Sequence, residues 1–159
     1  MRIGIYCVGK LKGGLFDAAV GEYAGRISRF AQVDVVEVPD SPAPARYGPA
    51  QCAAVMVQEG ERLLARIPAH SFVVALCIEG RRYTSEGFAA QLEQWMLRGV
   101  SDIAFVIGGS LGLSPAVRSR ADAKLSLSDM TLPHQLARVV LAEQVYRAFT
   151  IIRNQTYHK

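Results

Sequence analysis

Cysteine is scarce: the 159 residues hold three, Cys7, Cys52 and Cys77, an odd set with no CxxC spacing. That pattern excludes a disulfide framework and a zinc cluster, and because each cysteine lies in an apolar run, all three read as small buried hydrophobes. His70, His134 and His158 stand far apart with no HxxxH spacing, so no metal site is expected. No Cys/His pair nominates a nucleophile. The dinucleotide GxGxxG order is also absent, and no Lys-Ser/Thr pair follows a glycine-rich loop. No apolar run approaches the ~18–20 residues of a membrane span. The apolar start of MRIGIYCVGKLKGG is too short for a secretory signal. A cytoplasmic, soluble domain with no membrane partner is therefore expected. With no self-contained reactive group, any chemistry points to an activated cofactor, the protein supplying position and electrostatics.

Hydrophobic residues make up 50% and charged residues 20%, ordinary for a globular chain and incompatible with wholesale disorder. The length fits one domain, 1–159. The formal charge of +4 is unevenly placed: from Pro133 onward Arg138, Arg147, Arg153 and Lys159 face one acid, Glu143. Two readings are open, a solvated helix face and a phosphate-binding surface.

Met1–Val8 reads as a buried strand, with Ile3, Ile5 and Cys7 alternating with Gly4 and Tyr6. Leu15 to Phe30 keeps helical spacing, and Val33–Val38 is rich in β-branched residues, as a strand would be. Pro39 to Pro49 holds four prolines and reads as a long exposed connection. A helix over Gln51–Arg66, a strand over Ser71–Ile78 and a helix capped by Thr84 or Ser85 and stopped at Gly99 follow. That last helix buries Phe88, Leu92, Trp95 and Met96. Ile103–Ile107 is a fully apolar strand, a helical turn lies near Val117, and Lys124–Leu127 is a brief strand. A final helix with Pro133 in its first turn runs to about Arg153.

This alternation predicts an α/β fold, a mainly parallel sheet with helices on both faces. Such sheets bind ligands at the carboxyl ends of their strands. Three glycine-rich or polar loops lie there: after Ile78, after Ile107 and after Leu127. Gly108, Gly109 and Gly112 allow either close approach to a ligand or a tight turn. The polar residues of LSLSDMTLP (Leu125–Pro133) either hold a ligand or cap the following helix.

Four stretches carry a resemblance: ALCIEGRRYTSEGFA (Ala75–Ala89), FVIGGSLGLSP (Phe105–Pro115), LSLSDMTLPHQLARVVLAEQVYRAFTI (Leu125–Ile151) and the closing YHK (Tyr157–Lys159). Through them the whole chain resembles the small SPOUT-class methyltransferases of the ribosomal RNA large subunit methyltransferase H family. The resemblance implies a deep trefoil knot in the C-terminal part, which no pattern here would predict. It also implies S-adenosylmethionine (SAM) as cofactor, a homodimer, and methylation of N3 of a pseudouridine in large-subunit (23S) rRNA on the assembled ribosome, with no DNA partner. Carried over by position, the cofactor contacts are Leu76, Gly108, Leu127, Ser128, Asp129, Met130, Thr131 and Leu132. Cys77 stands where the family commonly has Asp, Asp129 where it has Pro, and Gln155-Thr156 where it has His-Pro.

Histidine titrates near neutrality, which suits His158 to receiving the N3 proton or orienting the base; stacking on RNA or hydrogen bonding to it is the other reading. Arg138, Arg147, Arg153 and Lys159 are the expected phosphate contacts. Tyr157 either stacks on a base or packs the tail onto the dimer partner. A catalytically inactive ribosome-binding protein of the same fold is the alternative function; a nucleotide-binding oxidoreductase fits only the α/β alternation.

Overall fold

The computed structural model describes residues 1–11, 13–42, 46 and 48–158. Among these, five strands and five helices alternate: β1 (Arg2–Val8), α1 (Leu15–Ile27), β2 (Gln32–Val38), α2 (Pro49–Leu64), β3 (Phe72–Arg81), α3 (Ser85–Leu97), β4 (Asp102–Ile107), α4 (Pro115–Arg120), β5 (Ala123–Leu125) and α5 (His134–Ile152). The strands form one sheet in the order β2-β1-β4-β3-β5, and every pairing is parallel. The predicted elements are present, with shifted ends: α1 stops three residues early, β3 runs on to Arg81, and β5 ends at Leu125 rather than Leu127.

Strand alternation divides the core in two, because successive side chains leave opposite faces of the sheet. Ile3, Ile5, Cys7, Val74, Ile103, Phe105 and Ile107 face one side and pack under α1, α3 and α5. Tyr6, Val8, Val73, Ala75, Ala104 and Val106 face the other and meet Leu63 of α2 and Val117 of α4. Helices thus cover both faces, as expected. All six residues of β4 are buried, which fits its place in the middle of the sheet. Removing the fully buried Phe105 ring would leave a cavity there and cost about 3–5 kcal/mol.

Local chemistry sets the helix ends. The Thr84 hydroxyl accepts the Gly87 N–H at 3.0 Å, and Gly99 closes α3 at φ 85°, a left-handed conformation that costs glycine least. Ser114 caps α4 in the same way, accepting from the Val117 N–H at 3.3 Å. Phe88, Leu92 and Trp95 are core, with Met96 packed partly buried against them. The cysteines need a correction. Cys7 is buried, and burial pushes its thiol up to about 12, but Cys52 and Cys77 are only half-buried. Cys77 lies beyond the last residue that β3 pairs with β4, where the sheet no longer covers it.

Candidate functional site

The site begins where a strand pairing stops. β3 and β4 are hydrogen-bonded from Phe72↔Ile103 to Ala75↔Val106 and then part. β3 stays with β5 at Leu76↔Leu125, bulges, and rejoins the same residue at Arg81↔Leu125. Gly80 makes that return possible: a Cβ there would lie 2.5 Å from the Leu125 carbonyl carbon. The bulged residues Cys77, Ile78 and Glu79 form one wall of a crevice at the carboxyl end of the sheet.

The second wall is the loop after β4. It folds tightly on itself through a bridge between Gly109 and Gly112, and the Gly112 N–H donates to the Gly109 carbonyl at 3.0 Å. A Cβ on Gly108 would sit 2.6 Å from the carbonyl carbon and oxygen of Gly112, so the turn has no room for a side chain. The third wall leaves β5. The Ser126 N–H donates to the Arg81 carbonyl at 3.0 Å, and the Ser126 hydroxyl to the Ser128 carbonyl at 3.0 Å. The Ser128 hydroxyl in turn accepts the Met130 N–H at 3.0 Å, which shapes the segment before α5.

These three walls enclose a cavity of about 680 Å³. Leu76, Gly108, Leu127, Ser128, Met130, Thr131 and Leu132 all line it, so seven of the eight expected cofactor positions converge. The eighth does not. Asp129 turns outward, with its side chain 72% exposed and ion-paired to Arg82. Its carboxylate is a surface group, and at most its backbone shapes the loop.

Outside the expected set, four lining residues carry ionisable side chains. Cys77 is one, its thiol pushed up mainly by burial. Glu79 and Arg118 form an ion pair, and the Glu79 carboxyl is held below its usual range first by its own backbone N–H and then by Arg118. His134, set aside above as a non-ligand, opens α5 on the cavity wall, and burial and then the Arg138 cation lower its pKa.

The tail behaves differently from the loops. Arg138, expected to meet phosphates, is fully buried. Its guanidinium donates to the carbonyls of Val8 and Gly9, the latter at 2.8 Å, and to Glu37 at 2.8 Å. That expectation is corrected: the Arg138 charge is internal and holds the end of β1. Arg147 grips Glu143 (Nε to Oε1, 2.9 Å) and lies 4.7 Å over the Tyr157 ring. The Tyr157 hydroxyl donates to Glu143 at 3.0 Å, and its ring meets Tyr146 edge-on at 4.7 Å; burial comes first in raising its pKa. His158 Nδ1 lies 3.2 Å from Arg147 Nη1 and Nε2 lies 2.9 Å from Glu86. Arginine can only donate, so Nδ1 accepts and Nε2 carries the hydrogen toward Glu86. Neither Tyr157 nor His158 lines the cavity. Arg153 is exposed, and Lys159 lies outside the described residues.

The crevice can take a small molecule with an apolar body and polar ends. Its volume falls within the roughly 300–1,000 Å³ of ordinary ligand sites. Leu76, Ile107, Leu127, Leu132 and Ala137 offer an apolar surface, Ser128 and Thr131 hydroxyls, and the Glu79–Arg118 pair one charge of each sign.

The family model described as "Predicted SPOUT methyltransferase" matches residues 1–158. Proteins named "Ribosomal RNA large subunit methyltransferase H" are 53% identical in Limosilactobacillus fermentum and 52% identical in Limosilactobacillus reuteri and Bifidobacterium animalis, each over 100% of both chains. Among solved structures, Lpg2936 from Legionella pneumophila, solved in complex with the bound cofactor SAM, superposes with a TM-score of 0.50 at 12% identity. It covers 93% of this chain and 66% of its own, a likeness of fold. A parallel sheet opening at its carboxyl end, a full-length family match and relatives at half identity converge: the chain belongs to the SPOUT methyltransferases, in the ribosomal RNA large subunit methyltransferase H family.

Proposed function

We propose that this protein methylates N3 of a pseudouridine in large-subunit rRNA, using SAM and acting in the cytoplasm on the assembled ribosome as a homodimer. The observation that carries the reading is the convergence of three separated loops on one cavity at the crevice where β3 and β4 part. The names of the relatives favour catalysis over a binding-only role.

The lining suits SAM. An adenine ring fits the apolar surface of Leu76, Ile107 and Leu132, and the ribose hydroxyls match the Ser128 and Thr131 side chains and loop peptides. The Glu79–Arg118 pair at the rim suits a zwitterionic amino acid portion. When bound, SAM supplies an electrophilic methyl group on a sulfonium. The protein's task is then alignment, which can lower a barrier by on the order of 7–11 kcal/mol. The Gly108–Gly112 turn, closed by the Gly109–Gly112 bridge and with no room for a Cβ at Gly108, contributes to that alignment.

Transfer to N3 also requires the N3 proton to leave, and His158 is the proposed acceptor or base-orienting group. Both its ring nitrogens are engaged with Arg147 and Glu86 on its own chain, away from the cavity. The tail as placed does not line the cavity of its own chain, which supports the reading that it acts on another subunit's cavity. Arg153 and, at the end of the same tail, Lys159 are proposed to contact phosphates. The knot is proposed from the path of the chain. β5 lies at the sheet edge, yet the segment after it crosses to α5, whose Arg138 reaches the end of β1.

The test is to offer methyl-labelled SAM and the purified protein to unmodified ribosomes, separate subunits and naked rRNA. Label in large-subunit rRNA from assembled ribosomes only is the expected result. No label in any sample refutes the reading.

A further inference from the structure

Glu59 stands on α2, across the sheet from α5, and the methyl transfer as proposed does not use it. It is 4% exposed. Its Oε1 accepts the Ser41 backbone N–H at 2.9 Å, while Oε2 is buried with no hydrogen-bond partner among the described residues. Arg62, nearly one turn along the helix, is directed elsewhere: its Nη1 donates to the Pro39 carbonyl at 2.9 Å and to the Ser41 hydroxyl at 3.0 Å. A buried carboxylate with a free oxygen is costly, and an apolar residue of the same length would fill the space without that cost.

What the free oxygen faces gives it a use. A Cβ on Gly109 would lie 2.8 Å from Oε2, 3.3 Å from Oε1 and 3.1 Å from Val8 Cγ1. Gly109 therefore lies flat against the carboxylate, and only glycine allows that approach. The same residue forms the cavity wall on its other side and is pinned to Gly112. The carboxylate thus backs the loop that faces the ligand, and Ser41 fixes the carboxylate.

We infer that Glu59 is a positioning residue for the SAM cavity: its free Oε2 accepts a backbone N–H of the Gly108–Gly112 loop when the cavity is filled, holding the loop in its binding form. The inference rests on the SAM-binding reading. An acceptor satisfied only in the loaded loop shifts the loop toward that form by the differential interaction alone.

Glu59→Gln is the direct test, because it keeps the volume and an oxygen for Ser41 while replacing the second acceptor with a donor. SAM affinity by calorimetry, the urea midpoint, and amide exchange of residues 108–112 with and without SAM are measured on the same protein. The expected result is a Kd raised at least tenfold, a urea midpoint equal to or above that of the unsubstituted chain, and loss of the SAM-induced slowing of loop exchange. A Kd within twofold with loop protection intact overturns the inference. Should Glu59→Gln not fold, Glu59→Asp keeps the charge but draws the acceptor back from Gly109; weakened SAM binding supports the role, and unchanged binding overturns it. If the unsubstituted chain itself binds no SAM, the functional reading fails and this inference with it. Binding by the unsubstituted chain and an unaffected variant sinks the inference alone.

Discussion

Replacing Arg138 by Met is the sharpest test of how the last helix is held. The side chain is fully buried and ties three acceptors from β1 and β2 to α5: the Val8 and Gly9 carbonyls and the Glu37 carboxylate. Methionine fills the stem volume and removes every donor. Breaking a buried ion pair from one side typically costs about 3–5 kcal/mol. Two local details pull toward the lower end. Glu37 is 25% exposed and regains some hydration, and the unpartnered Arg138 Nε, itself a cost, is removed. A loss near 3 kcal/mol is expected, read as a lower urea midpoint at unchanged slope and fixed protein concentration. For a chain of this size it lowers Tm by roughly 6–12 °C. Arg138→Lys keeps the charge without the fork and should fall between. A loss below about 1 kcal/mol for Arg138→Met would refute the clamp and restore Arg138 to the list of available surface cations.

Gly108→Ala places a methyl 2.6 Å from the Gly112 carbonyl group, so the turn must shift. The fold should lose about 1–3 kcal/mol and SAM affinity by calorimetry should fall at least tenfold, whereas native affinity would show the turn is pliable. The folded-state pKa of His134 lies below its usual 6.5, so the unfolded chain binds more protons just below that pH. Stability should therefore fall as pH drops from about 7 toward the lowered value, and His134→Gln should flatten that stretch of the urea-midpoint profile. Cys77 lines the cavity with its thiol pushed up, and Cys7 is buried with its thiol at about 12. Iodoacetamide should label Cys77 slowly and Cys7 scarcely at neutral pH, and saturating SAM should protect Cys77 in peptide mapping; equal labelling with and without SAM would place the ligand elsewhere.

The alternation of Ile3, Ile5 and Cys7 and the apolar run Ile103–Ile107 made β1 and β4 legible, because each such pattern has one stable burial. The site was legible as three loops at strand ends, since a parallel sheet leaves few other places for a crevice. Strand order was not, because no residue pattern says that β4 inserts between β1 and β3. The charge count misled at Arg138, though a signal was present: Leu141, Ala142 and Val145 lie three, four and seven residues on, a spacing that puts Arg138 on the buried stripe. Glu59 had the same signature with Leu63. Asp129 was assigned by position along a motif, and position alone says nothing of where a carboxylate turns.

The Arg138 clamp also bears on the order in which this chain is built. Its acceptors at Val8 and Gly9 are synthesised first, and their donor follows 130 and 129 residues later. During translation the end of the first strand has no internal cation to complete it, however early β1 and β2 come together. The central sheet must wait for its last helix, so maturation here is a closing step rather than a progressive one, and contacts of such long sequence separation are slow to form. A nascent chain stalled before Arg138 should remain protease-sensitive around residues 8–11, becoming resistant only once α5 is released.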